Sequence, residues 1–157
     1  VSKTGYTLTT GAAVALAPAV PKTVLCVIAP STFGVDLKKM RVSFDGVTAS
    51  AVPVLIEILN STLASNSTPG TGNTIGTVNQ AYGCHIPAGF TGFYNSTVEP
   101  TVLTSIDAYT LTPTGGTLLY DWPLGDTPDT IQSNGIVLRC TAPAVVNVRA
   151  AFWFERC

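Results

Sequence analysis

Charge is what this sequence has least of: Asp, Glu, Lys and Arg make up 11% of its 157 residues, about half the share of an ordinary globular domain. With 46% hydrophobic residues beside so little charge, much of the surface must be neutral, built from Thr, Ser, Asn and Gly. Interfaces between subunits are depleted of Lys and Glu in the same way. Such a skin suits a chain that hides surface against partners; a compact monomer with a Thr-rich surface is the alternative. The net charge of −1 comes from scattered residues. Only Lys38, Lys39 and Arg41 cluster, and on a strand that trio points to alternate faces. No electrostatic footprint for nucleic acid results. Nor does any apolar run approach the roughly 20 residues that span a bilayer. The richest stretch, "GAAVALAPAV", is broken by Pro18 and followed by Pro21, and it reads as an extended arm or a first strand.

Groups suited to catalysis are equally sparse. The one histidine, His85, lies in "YGCHIPAGF". Adjacency to Cys84 does not give a nucleophile–base contact, and no nucleophile-elbow sequence is present. The acids are Asp36, Asp45, Glu57, Glu99, Asp107, Asp121, Asp126, Asp129 and Glu155. Asp121 stands next to Trp122, an aromatic that could grip a sugar ring during glycoside chemistry. The four cysteines, Cys26, Cys84, Cys140 and Cys157, form no CxxC or Cys/His spacing, which argues against zinc. Cys26 in "TVLCVIA" and Cys140 in "IVLRCTA" sit in strand-like runs, so buried free thiols are favoured over disulfides. Asn-x-Ser/Thr triplets at Asn60, Asn66 and Asn95 are too easily produced by chance in so Ser/Thr-rich a chain to establish a secretory origin. The expectation is a non-enzyme without cofactor or metal.

What is present is the two-residue period of β-strands. In "NVRAAFWFE", Val146, Val148, Ala150, Phe152 and Phe154 share one face, while Asn147, Arg149, Ala151, Trp153 and Glu155 share the other. "KMRVSF" repeats the logic, with Met40, Val42 and Phe44 inward, and "Asp45-Gly46" signals a turn. "TVLCVIA", "VPVLIEIL", "PTVLTSI", "AYTLTP", "TLLYDW" and "GIVLRCTA" are rich in strand formers and bounded by turn residues. "VLIEIL" and "STFGVDLKKM" each admit a short helical turn instead. Roughly eight or nine strands suit an all-β antiparallel sandwich or its jelly-roll variant. A single domain is expected over residues 22–157, preceded by an extended arm over 1–21, with a long polar loop at 60–76.

One stretch, "GGTLLYDWPLGDTPD", gathers Asp121, Asp126 and Asp129 around Trp122. Their spacing is not that of a calcium loop. Pro123 and Pro128 stiffen the segment, Gly125 allows an unusual backbone angle, and Asp side chains can close turns on nearby amides. The economical reading is a rigid bend closed by aspartates, with Trp122 and Leu124 as core plugs or partner anchors. Trp153, adjacent to an inward Phe152, must face out. An outward tryptophan asks for cover: a neighbouring subunit is the preferred one, the chain's own amino-terminal arm the alternative. The interface candidates are therefore Tyr6, Leu8, Val14 and Leu16 on the arm, with Trp122, Leu124 and Trp153.

Three stretches, "FGVDLKKMRVSFDGVTAS", "PTGGTLLYDWPLGDTPD" and "LRCTAPAVVNVRAAFWFER", resemble a group of small virion proteins of tailed bacteriophages, especially those of actinobacteria. The resemblance runs from about residue 22 to the end and is weakest across the Ser/Thr-rich loop. It implies a β-sandwich attached to the outer surface of the capsid as a decoration or cement protein, commonly a homotrimer, in contact with the major capsid protein. No catalytic residues come with it. The alternative is a carbohydrate-recognition module of a fibre, tail or adhesin, with Tyr82, Tyr94, Tyr120 and Trp122 stacking sugars.

Overall fold

A computed structural model describes residues 4–45, 53–62, 74–83, 89–114 and 116–157. Expectations that fall on the remaining positions, namely Cys84, His85, Asn66, Gly46 and most of the 60–76 loop, lie outside the described residues.

Thirteen strands follow one another along the chain: β1 Gly5–Thr9, β2 Val14–Leu16, β3 Lys22–Ile28, β4 Val35–Asp45, β5 Val54–Ser61, β6 Thr74–Gly76, β7 Val78–Tyr82, β8 Thr91–Tyr94, β9 Leu103–Leu111, β10 Thr117–Asp121, β11 Asp129–Thr130, β12 Gly135–Thr141 and β13 Val146–Arg156. The described residues contain no helix: "VLIEIL" is strand, and "STFGVDLKKM" opens with a turn at residues 31–32 and is strand from Val35. "PTVLTSI" and "AYTLTP" merge into the single strand β9. One sheet runs β10-β4-β13-β1-β7, with β11 also pairing β4 and β2 also pairing β13; the other runs β6-β8-β3-β12-β5-β9. Every strand pairing is antiparallel. The all-β antiparallel sandwich expected from periodicity is what the chain adopts.

The pairings are nested: β1 with β13, β3 with β12, β4 with β10, and β5 with β9. A nested order means that the first and last strands meet in one seam, far apart in sequence. Thr10 and Ala150 exchange a buried side-chain contact there, the Ala150 N–H donating to Thr10 Oγ1 at 3.2 Å. Strands β6 to β8 widen both sheets on the side away from β9 and β10.

Alternation fills the core as the sequence indicated. Val146, Val148, Ala150, Phe152 and Phe154 are buried, as are Met40 and Val42, with Phe44 packed at the margin. Phe90 joins the two sheets through edge-on contacts to Tyr6 (5.3 Å between ring centroids) and Phe154 (4.9 Å), geometry that aromatic quadrupoles favour.

The amino-terminal segment corrects an expectation. Residues 5–9 pair with β13 on one side and β7 on the other, and 14–16 pair with β13. Tyr6, Leu8, Val14 and Leu16 are at most 1% exposed. They plug the chain's own core and are not available to a partner, and residue 21 is not a boundary between arm and domain. The physical reason is visible in the segment itself: "YTL" and "VAL" alternate with period two, and burying their inward faces in the sandwich outweighs leaving them loose.

A different segment plays the part of a strap. Strands β8 and β9 stand on opposite sides of their sheet, so residues 95–102 must cross it. The crossing begins with Asn95 and Ser96 donating to the Val24 and Thr23 carbonyls. Glu99 then accepts from the Thr23 amide and hydroxyl, both at 2.6 Å. Outer-face residues Cys26, Leu59 and Val137 form a second, smaller apolar cluster on this sheet.

Candidate binding surface

Residues 116–129 form a corner. Strand β10 runs along the edge of β4, the chain leaves it at Trp122, and β11 rejoins the same edge. Trp122 donates its backbone N–H to Lys38 O at 3.1 Å, its ring lies 4.7 Å from Tyr120, and it packs against the main core. It is half-buried, one part of the ring on the core and the rest open to solvent. The bend is closed by backbone: Asp126 N–H donates to Pro123 O at 3.1 Å, and Gly125 takes a φ of 96°, as in a type II turn. The aspartates do not close it, contrary to expectation. Asp121 instead faces Lys39 at 3.2 Å. Among the described residues no group of His, Cys, Asp and Glu converges in a way that could hold a metal ion.

This corner leaves Leu124 88% exposed. Leu119, also exposed, stands on the outward face of β10, opposite Arg41. Tyr120 and, on the neighbouring edge strand β9, Ile106 are exposed as well. Sequence reasoning singled out Leu124 but missed Leu119 and Ile106. A signal existed for Leu119: Leu118 and Leu119 are adjacent in a strand, so one must point outward. Ile106 is the extra residue of a bulge, since Ile58 aligns with Asp107 and Leu59 with Ser105; alternation in "TSIDAY" does not reveal it.

Trp153 faces outward and is half-buried. The Arg41 guanidinium lies 5.6 Å from its ring centroid, and Thr7 of β1 and Lys39 of β4 flank it. Part of its cover is thus the chain's own, a cation–π contact of about 0.5–1 kcal/mol at such a site.

Charges are distributed unevenly. Lys38 contacts Asp36 and Glu155, Arg139 holds Glu57 through two bonds at 2.9 and 3.2 Å, and Arg149 meets Asp45 at 3.1 Å. The acids with no ion pair to a described residue, apart from the hydrogen-bonded Glu99, are Asp107, Asp126 and Asp129. All belong to the β9 and β10–β11 flank. Between the two edges, a cleft of about 350 Å³ is lined by Asn60, Thr104, Ile106, Thr127, Pro128 and Asp129, among others.

Of the aromatics proposed for sugar stacking, Tyr120 and Trp122 meet, while Tyr82 and Tyr94 lie on other strands. Tyr82 lies on the far edge strand β7 and donates to Glu155 Oε1 at 2.6 Å. Tyr94 on β8 and Trp122 pack against the core. Cys26, Cys140 and Cys157 are free thiols. Burial pushes the Cys26 thiol up to about 12, with the Glu99 carboxylate adding to the effect, and it raises Cys140 in the same direction, helped by Glu57. Thiols so placed are poor nucleophiles.

No protein-family description, no curated protein and no solved structure matches this chain.

Proposed function

We propose that this chain is a bacteriophage virion structural protein, a decoration protein that binds the outside of the head and bridges major capsid protein subunits, acting as a trimer. The observation that carries the reading is the corner at residues 122–128, which holds Leu124 88% exposed, more than any other large apolar side chain among the described residues. Large apolar side chains fixed in that way lose little freedom when covered, which favours docking. The nested strand order β1, β13, β4, β10 against β3, β12, β5, β9 supports a jelly roll, with β6–β8 as an insertion, and the resemblance to small phage virion proteins points the same way. A shell under internal pressure is held better by several modest contacts joined in one oligomer than by a single one.

The test is sedimentation of purified protein with phage heads stripped of their outer proteins, together with its mass under native conditions. Saturable attachment that raises the temperature at which heads release DNA is the expected result. Indifference to heads, combined with specific retention on a glycan array, would overturn it in favour of a carbohydrate module.

A further inference from the structure

The cleft between the two edge strands has the chemistry of a pocket for a cationic side chain. Its lining combines apolar Ile106 and Pro128 with oxygen-bearing groups: the Asn60 amide, the hydroxyls of Thr104 and Thr127, and the Asp129 carboxylate. No lysine or arginine lines it among the described residues. Asn60 is pre-set, accepting from Thr130 Oγ1 at 3.0 Å and donating to the Asp129 carbonyl at 3.4 Å. Two further acids, Asp107 and Asp126, lie on the same flank, likewise without an ion pair to a described residue.

A cleft of about 350 Å³ sits at the small end of the range for drug-like ligands. It suits one long side chain better. Arginine and lysine carry an apolar stem and a charged head, and they pack the stem on hydrophobic surface while the head seeks oxygen. The β10–β11 connection that supplies Thr127 and Pro128 also carries exposed Leu124, apolar surface for a neighbour of that side chain in an extended segment. Self-association through the flank is disfavoured, because a two-fold contact would set aspartates against aspartates.

We propose that this cleft binds an arginine or lysine side chain presented on an extended, basic segment of a different protein, with Asp129 as the charge that selects it. The proposal rests on the reading of this chain as a partner-binding scaffold and names the chemistry of its partner.

The experiment needs no phage head. Three blocked tripeptides, Leu-Arg-Leu, Leu-Gln-Leu and Leu-Glu-Leu, are titrated into the intact protein while backbone amide signals are followed by NMR. The arginine peptide is expected to move the signals of Thr104, Ile106, Thr127 and Asp129. It should bind at least about fivefold more tightly than the glutamine peptide, a preference of the size expected for one partly exposed ion pair, and the glutamate peptide should bind least. Asp129→Asn, whose thermal midpoint should match the parent because the side chain is exposed, is expected to erase the preference. Ile106→Ser should weaken the arginine and glutamine peptides together. Equal binding of all three peptides, signal changes on another face, or an unaltered preference in Asp129→Asn would overturn the proposal. A concentration-dependent dimer abolished by Asp129→Asn would also overturn it, by seating a second copy in the cleft. Head sedimentation of the parent and Asp129→Asn separates the two readings. Discrimination between peptides without attachment to heads defeats the virion reading alone. Equal attachment of both proteins, with no discrimination, defeats the pocket alone.

Discussion

Truncating Leu8 to alanine tests whether the amino-terminal strand is structural. Leu8 is completely buried, and it fills a notch that glycines of the opposite sheet leave open. An ideal Cβ built on Gly92 would stand 2.5 Å from Leu8 Cδ1 and 2.9 Å from Cδ2, and one on Gly76 would stand 2.6 Å from Cδ1. Leu8→Ala removes the side chain from a site whose walls are β-sheet backbone and cannot collapse far. The expected cost is about 3 kcal/mol, within the ~2–5 kcal/mol span of such truncations. With a urea slope of about 2 kcal/mol per molar, the unfolding midpoint should fall by about 1.5 M. Gly92→Ala alone should cost about 1–3 kcal/mol by overpacking. In the Leu8→Ala background its methyl enters vacated space, so the double variant should be more stable than the sum of the singles by about 1 kcal/mol or more. Urea unfolding followed by tryptophan fluorescence measures all four corners of the cycle. If Leu8→Ala costs under about 0.5 kcal/mol, or if the cycle is additive, residues 5–9 are a peripheral arm after all.

Three further outcomes are expected. Glu57→Gln breaks the charge-assisted pair with the largely buried Arg139 and should destabilise by about 1–2 kcal/mol, whereas Asp45→Asn, whose pair with Arg149 is about half exposed, should change thermal stability by under about 0.5 kcal/mol; equal effects would contradict the burial argument. Alkaline pH should weaken the fold. Burial raises the Cys26 thiol from an ordinary 9.0 to about 12, and burial followed by the Glu155 hydrogen bond raises the Tyr82 phenol from 10.0 to about 12. The protonated forms are therefore favoured in the fold, their contribution is intact below about pH 9, and it is lost as pH climbs from there through 12; a urea midpoint that rises between pH 9 and 10.5 would refute this. In a Cys84→Ser background, a thiol reagent followed by mass spectrometry should modify Cys157 in the native protein, with Cys26 and Cys140 reacting only on unfolding; early labelling of either buried thiol would show that the β3–β12 core opens readily.

Strands with strict alternation are legible in the sequence itself. β13 and β4 carry their buried faces openly, since Val, Phe and Met recur every second residue and most intervening positions are polar. The short strands are not legible in this way. β6, β7 and β11 have two to five residues each, too few for a period to emerge from composition, and they exist because a longer neighbour offers an open edge. The amino-terminal strand is half legible: its alternation is present in "YTL" and "VAL", but Gly, Ala and Pro around it resemble an arm until β13 supplies a partner. At the flank, Leu124 announces itself between Pro123 and Gly125. The cleft beside it cannot, because Asn60, Ile106 and Asp129 come from three distant stretches that meet only when the two sheet edges align.

By itself the sequence determined the local chemistry: strands from period-two alternation, turns from Gly, Pro and Asp, a neutral skin from scarce charge, and free buried thiols from cysteines inside apolar runs. Each of these follows from residues within a few positions of one another, where sterics and solvation act directly. Tertiary structure alone decided which strand lies beside which, that residues 5–16 belong to the core, and that three aspartates and an isoleucine share one flank. Those outcomes depend on nested pairings that bring the chain's two ends together, and no short window of sequence contains both partners.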